Sequence, residues 1–254
     1  MKVRILGCGT SSGVPRIGND WGECDPAEPR NRRRRVSILV EEGETKVLVD
    51  TSPDLRDQLI DAGVTALSAV LWTHDHADHC HGIDDLRQLY HFRGTPIPTY
   101  ARPATLDSLR QRFGYVFDGA GGYPPVAAAN RLPDRLTIGG LAIGIVDQPH
   151  GEITSAGMRF DAGGRSIGYS TDFNVLTEEM AALFEGVDLW IVDALRLRPH
   201  PTHPHLAQTL AWIEQIGARR AILTHMDNSM DYRALKGLLP ENVEPGYDGM
   251  EAIL

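Results

Sequence analysis

Cysteine is scarce in this chain. Cys8, Cys24 and Cys80 are scattered over 254 residues, with no CxxC pair. So sparse and odd a set argues against a disulfide framework and against a thiolate zinc knuckle. Long apolar runs are also missing. No stretch of about 18 apolar residues occurs, so no membrane span is expected. The N-terminus, MKVRILGCGTSSG, meets glycines too soon to contain a secretory signal core, and the cytoplasm is the expected compartment. Positive charge is in deficit: 25 Lys and Arg against 34 Asp and Glu give −9. Such a surface disfavours non-specific nucleic-acid binding. One local exception is RNRRRRV, which holds Arg30, Arg32, Arg33, Arg34 and Arg35. There is no short-period repeat, low-complexity segment, linker or break in composition. With 42% apolar residues to build a core, the expectation is one α/β domain over residues 1–254.

Strand and helix signals mix throughout. Strands are expected at 2–7, 36–42, 45–50, 67–73, 96–101, 187–193 and 219–225. LTIGGLAIGIVDQ (136–148) reads as one or two strands, and 157–171 as a hairpin turning at Gly163–Gly164. EEGE marks another hairpin. Helices are expected at 52–63, with Ser52 as cap and Gly63 as stop, and at 83–92, 103–114, 176–186, 205–217 and 230–239. The strand ends share a feature. TKVLV ends at Asp50, AVLW at Thr73–His74, AIGIVDQ at Pro149–His150, SIGYST at Asp172, LWIV at Asp193 and RAILT at His225. If these strands are neighbours, their carboxylates and imidazoles converge on one edge.

Histidine is what the chain has in quantity. Four of its ten lie in 74–81 and three in 200–205. LWTHDHADHC places His74, Asp75, His76, Asp78 and His79 directly after an apolar strand. Buried unpaired, these groups would be costly; either the segment is a solvated loop or a cation neutralises it. His74 and His76, two apart, point the same way in extended chain and can grip one ion. Asp78 and His79 follow a turn later and can serve a second. Sites that keep positions open to substrate are catalytic, not structural. His150, Asp172 and His225 would complete the shells, with Asp172 bridging. Read singly, each of these three is equally a loop or cap residue.

HDHADH matches the HxHxDH signature of the metallo-β-lactamase superfamily, and His150, Asp172 and His225 follow in the family's order. The resemblance covers essentially the whole chain. It implies a four-layer αββα sandwich with metals at one edge. His74, His76 and His150 would hold the first ion, Asp78, His79 and His225 the second, with Asp172 between them. GCGTSSGVP, LVDTSPD, LTHM and GYDGME resemble, more narrowly, the branch containing the phosphoribosyl 1,2-cyclic phosphate phosphodiesterase of the carbon–phosphorus-lyase pathway. The tRNA 3′-processing endonucleases are more distant. In that branch a histidine between the bridging aspartate and the last ligand acts as general acid. RPHPTHPHL supplies His203 as the match, with His200 and His205 as alternatives. The branch also carries a structural zinc on a cysteine-rich loop near residue 20 and a histidine just after the LTH motif. Here Cys24 stands alone and Asn228 follows LTHMD, so two catalytic ions and no third are expected.

The implied chemistry is hydrolysis of a small, cyclic phosphodiester by metal-bound hydroxide, with zinc or manganese as the ion. Protonation of the leaving oxygen falls to His203. Asp50 and Asp193 are expected to accept from ligand imidazoles. The Gly7–Gly13 loop, with Thr10, Ser11 and Ser12, and the Arg30–Arg35 run could each face an anion or merely form a turn and a solvated face. A lactamase or thioesterase would use the same metals, and a scaffold protein on this fold would have lost ligands. Monomer and homodimer both remain open.

Overall fold

The computed structural model describes residues 1–254. Its chain builds the same motif twice: an antiparallel meander continued by parallel strands. In the first half, β1 (Lys2–Gly7), β2 (Ser37–Glu42) and β3 (Thr45–Val49) pair antiparallel. Then β4 (Ala69–Leu71), β5 (Ile97–Ala101) and β6 (Ala127–Arg131) add in parallel. Their connections carry α1 (Leu55–Asp61), α2 (Ala77–Cys80), α3 (Leu86–Arg93) and α4 (Pro103–Asp118). In the second half, β7 (Arg135–Ile138), β8 (Leu141–His150), β9 (Ile153–Ala162) and β10 (Arg165–Ser170) form the meander. Parallel strands β11 (Leu189–Asp193), β12 (Arg220–Thr224) and β13 (Val243–Pro245) follow. Between them run α5 (Glu178–Phe184), α6 (Leu206–Ile216) and α7 (Tyr232–Leu238). Finally β14 (Glu251–Ile253) returns to pair with β1. Two seven-stranded sheets result, ordered β14-β1-β2-β3-β4-β5-β6 and β13-β12-β11-β10-β9-β8-β7.

Period-two alternation assigns the layers. In β2 and β3, Ile38, Val40, Val47 and Val49 face the second sheet, where Ile143, Met158, Phe160, Ile167 and Ile191 meet them. Leu39, Leu48, Val70 and Trp72 face outward and are covered by Leu55, Leu59, Leu86, Leu89, Leu106 and Leu109 of α1, α3 and α4. Both faces of these strands are buried, so the sequence reads as continuous apolar runs. Each fully buried Leu or Val contributes about 1.5–3 kcal/mol. On the other side Trp190 stacks on Phe184 of α5 at 5.7 Å. Gly168 permits that approach, because a Cβ there would stand 2.8 Å from Trp190. The αββα sandwich expected from the resemblance is the fold observed.

Several boundaries move. The 136–148 segment is two strands turning at Gly139–Gly140, and the second runs on through Pro149 to His150. Pro149 is tolerated because β7 has already ended and that side of β8 is an edge. Asp54, not Ser52, stands at the α1 N-cap; Ser52 Oγ instead accepts from Asp54 N and donates to Gln58 Oε1. α4 continues past Gly114 to Asp118, with non-helical dihedrals at Phe113. β6, β13, β14 and α2 escape sequence reading, being short or weakly apolar.

Candidate metal centre

Strand direction brings the candidate residues together. β3 and β4 are parallel and end side by side, with Val49 opposite Leu71. β10, β11 and β12 are parallel and end together, with Ser170 opposite Val192 and Asp193 opposite Thr224. Antiparallel to β9, β8 points the same way as β10 and delivers His150. The residues following these ends leave the sheets sharply. Asp50 (φ 64°), Asp172 (φ 56°) and His225 (φ 57°) are left-handed, and Asn19 is the one other non-glycine residue with positive φ. That conformation costs about 1 kcal/mol or more, and such strain gathers at functional sites.

Two groups of donors face each other. His74, His76, His150 and Asp172 have ligand atoms within 4.8 Å of one another, and so do Asp78, His79 and His225. Asp172 lies between the groups. One oxygen is 3.7 Å from His150 Nε2 and 3.9 Å from His74 Nε2, and the other is 3.1 Å from His79 Nε2. His225 Nε2 is 3.4 Å from Asp172 Oδ1 and 3.5 Å from Asp78 Oδ2. The imidazoles are held from behind. His79 Nδ1 bonds Asp50 at 2.7 Å, His150 Nδ1 the Thr202 carbonyl at 3.0 Å, and His74 Nδ1 the Thr73 hydroxyl at 3.0 Å. Each Nε2 is thereby turned inward. Those of His74, His79 and His225 are buried without a hydrogen-bond partner. Orphaned nitrogens aimed at buried carboxylates are what a divalent cation would satisfy.

The electrostatics agree. Burial alone would lower the His79 imidazole, yet Asp172, Asp78 and Asp50 raise it well above its usual range. His225, equally buried, is raised to about 9 by Asp172, Asp78 and Asp193. Burial and His79 push His74 well down, and burial lowers His150. Burial would raise the carboxyls of Asp172 and Asp78, but His225 and His79 hold both far below the usual range. Protons on His79 and His225 thus balance anionic carboxylates, and a cation would displace them.

The remaining candidates divide. Asp193 takes its imidazole bond from His203, not from a ligand histidine: His203 Nδ1 lies 2.8 Å from Asp193 Oδ2, which also accepts from Asp172 N at 3.0 Å. The reason is geometric, since 200–205 folds back over the end of β11. His203 Nε2 then stands 3.8 Å from Asp172 Oδ1, and its ring stacks on His225 at 4.7 Å. His200 packs against His203 at 5.2 Å, and His205 stands at the N-cap position of α6 without a side-chain hydrogen bond to the helix. A cavity of about 400 Å³ opens over the cluster, lined also by Ser11, Glu152 and Ile153. Sequence reading missed Glu152 and the Thr202 carbonyl, which carry no local signal. It also passed over Asp75, which accepts from Ser108 and Arg112 and so anchors the histidine turn to α4. Its place between two candidate ligands was the available cue.

Arg30 lies in a 3-10 turn, Pro29–Asn31, and from Arg32 the arginine run is extended and alternates. Arg30, Arg32 and Arg34 line a cavity of about 600 Å³ with Arg4 and Tyr247, away from the cluster. Arg33 is buried, and Arg35 turns toward the metal side.

Fold and donor set together are of the metallo-β-lactamase type, with donors placed so that they could hold metal. The chain belongs to the β-lactamase superfamily: the family model described as Beta-lactamase superfamily domain matches residues 45–226. The crystal structure of a diphosphatase from the PhnP family is similar throughout, with a TM-score of 0.90 and 32% identity over 99% of this chain and 96% of that one. Zn2+-bound PqqB from Methylobacterium extorquens shares the fold, at TM-score 0.80 and 23% identity over the full length of both. An octanoyltransferase of Porphyromonas gingivalis is 32% identical over all of this chain. The chain spans about half of that relative, 52% of its length. Independently, no helix is long and apolar enough to cross a membrane.

Proposed function

We propose that the protein is a phosphodiesterase that uses two divalent ions, zinc or manganese, to hydrolyse a small, cyclic phosphodiester. The observation that carries this reading is His203: an imidazole fixed by buried Asp193, with its second nitrogen turned toward Asp172. Hydrolysis of a thioester, whose thiolate leaves without a proton, has less need of such a donor than expulsion of a sugar alkoxide. Ions held by the two donor groups would supply Lewis-acid polarisation of the phosphoryl group and an acidified water. Asp50, Thr73 and the Thr202 carbonyl keep the ligand nitrogens aimed inward. Asp172 stays anionic and so can serve both positions. His203 Nε2 delivers the proton that the leaving oxygen requires.

Two further points support the reading. The related diphosphatase also breaks a phosphorus–oxygen bond. An acyl substrate, which the octanoyltransferase relative brings to mind, suits the cavity poorly, because Ile153 is its one apolar lining residue.

The test compares two leaving groups. His203→Ala is expected to lose on the order of 10²–10⁴-fold with a ribose cyclic phosphate, the range for general acid catalysis. With bis-p-nitrophenyl phosphate, whose leaving group needs no proton, the loss is expected to be far smaller. Metal content should be unchanged. Equal losses on both substrates would remove His203 from the acid role, and cleavage of precursor tRNA without any of small diesters would overturn the substrate class.

A further inference from the structure

The segment that carries His203 is anchored from outside itself. Residues 199–204 form no strand or helix. Pro199, Pro201 and Pro204 restrict φ there and donate no backbone hydrogen bond. Asp193 holds the His203 ring, not the backbone around it. Two consecutive carbonyls fasten the middle of the segment. The Thr202 carbonyl accepts from His150 Nδ1 at 3.0 Å, and the Pro201 carbonyl accepts from Asn174 Nδ2 at 3.0 Å.

The turn that delivers Asp172 also places Asn174. Two residues past that candidate ligand, Asn174 N donates to the Pro149 carbonyl at 3.0 Å, next to His150. Phe173 is buried and stacks on Trp212 of α6 at 5.1 Å. The Asn174 side chain therefore leaves a fixed backbone. Its Oδ1 finds no donor, so the hydrogen bond to Pro201 is the one its side chain makes. From the other side Gly151 closes on the segment, where a Cβ would stand 3.1 Å from Thr202 Cγ2. Asn174 thus joins the strand ends bearing Asp172 and His150 to the segment bearing His203, and it makes no hydrogen bond to a candidate metal donor.

We propose that Asn174 is a positioning residue for the general acid. It fixes the height of residues 200–205 over the donor cluster, and so the place of His203 Nε2, 3.8 Å from Asp172 Oδ1. The inference rests on the phosphodiesterase reading and deepens it. Asp193 sets which way the imidazole turns, and Asn174 sets where the ring stands. Proton transfer to a leaving oxygen depends steeply on distance, and a misplacement of about 1 Å can cost on the order of 10²-fold.

Asn174→Ala is expected to lose about 10- to 100-fold in kcat with a ribose cyclic phosphate, with KM little changed, and far less with bis-p-nitrophenyl phosphate. Asn174→Gln keeps a donor and should recover part of the loss. In a His203→Ala background Asn174→Ala should cost nothing further, since residues that act through one another are not additive. Equal losses on both substrates, losses that multiply in the double variant, or weakened metal binding in competition with a chelator would overturn the proposal. Amide exchange of residues 200–205 in the metal-loaded protein, followed by mass spectrometry, gives a second readout, expected to quicken about 10-fold in Asn174→Ala. Quickened exchange without wild-type turnover of either diester would retain the anchor and reject the phosphodiesterase reading. Turnover of both diesters with exchange unchanged in Asn174→Ala would do the reverse.

Discussion

Asp248 illustrates what a single carboxylate can do far from the chemistry. It lies in GYDGME and accepts from Arg34 N at 2.7 Å and Cys8 N at 3.2 Å, so it ties the chain end to β1 and to the arginine run. Burial pushes its carboxyl up to about 7, against the pull of the Arg34 amide and guanidinium. A carboxyl raised in the folded state contributes stability that is fully present below its unfolded value near 4 and is lost as pH rises through about 7. The size is on the order of 4 kcal/mol at most. Asp248→Asn keeps an acceptor and cannot ionise. Between pH 4 and 7 its midpoint of denaturant unfolding should therefore fall less than that of wild type. Parallel curves for the two proteins would contradict the assignment. The same residue scale marks where sequence reading stops: Asp193 is visible as a strand-end carboxylate, but its partner, ten residues away along an irregular loop, is not.

At the scale of elements, α2 and α4 govern the first candidate ligands. HDHADH leaves β4, turns at Asp75 and enters α2, so that His74 and His76 face one donor group and Asp78 and His79 the other. Nothing in α2, only four residues long, makes it stable alone. Its geometry is held by Asp75, which Ser108 and Arg112 of α4 clamp. Removing both donors in a Ser108→Ala, Arg112→Ala protein should weaken metal binding about 10- to 100-fold, as loss of groups behind ligands does. Competition with a chelator would measure it, with the far-ultraviolet spectrum unchanged. Unaltered affinity would show that the turn needs no clamp. The periodicity of the long strands and helices is readable because burial imposes it. Ala127–Arg131 pairs with β5 through its backbone, so its side chains carry no such signature.

For the whole molecule, the decisive contact joins the segment after β1 to the segment after β12. Arg33, 2% exposed, donates to the carbonyls of Asp227 and Met230, contacts Asn31, and lies 3.8 Å from Cys24 Sγ. Glu23 N bonds the Asn228 carbonyl at 2.8 Å in the same seam. A guanidinium thus stands beside the one cysteine of the loop where the resemblance implies a structural zinc, and a cation placed there would be repelled. Arg33→Ala should cost about 3 kcal/mol or more through buried acceptors left unpaired. That corresponds to a loss of roughly 6–12 °C in Tm for a chain of this size. Elemental analysis should find two ions per chain and none that depends on Cys24. A third tightly held zinc lost in Cys24→Ser would overturn this account.

The candidate donors of HDHADH were legible from the chain alone because ligation needs particular donor types, and an extended HxH followed by a DH turn places them by local geometry; His150, Asp172 and His225 were singled out from loop or cap residues only with the family resemblance. The apolar runs declared strands buried on both faces for the same local reason. What tertiary structure alone decided was which polar group serves which. Asp50 behind His79, Asp193 behind His203, Arg33 in the seam and Arg35 beside Ser11 are contacts between segments brought together by sheet order and strand direction. Hydrogen bonds are short and directional, so their pairing is settled only when the backbone has placed donor and acceptor within about 3 Å.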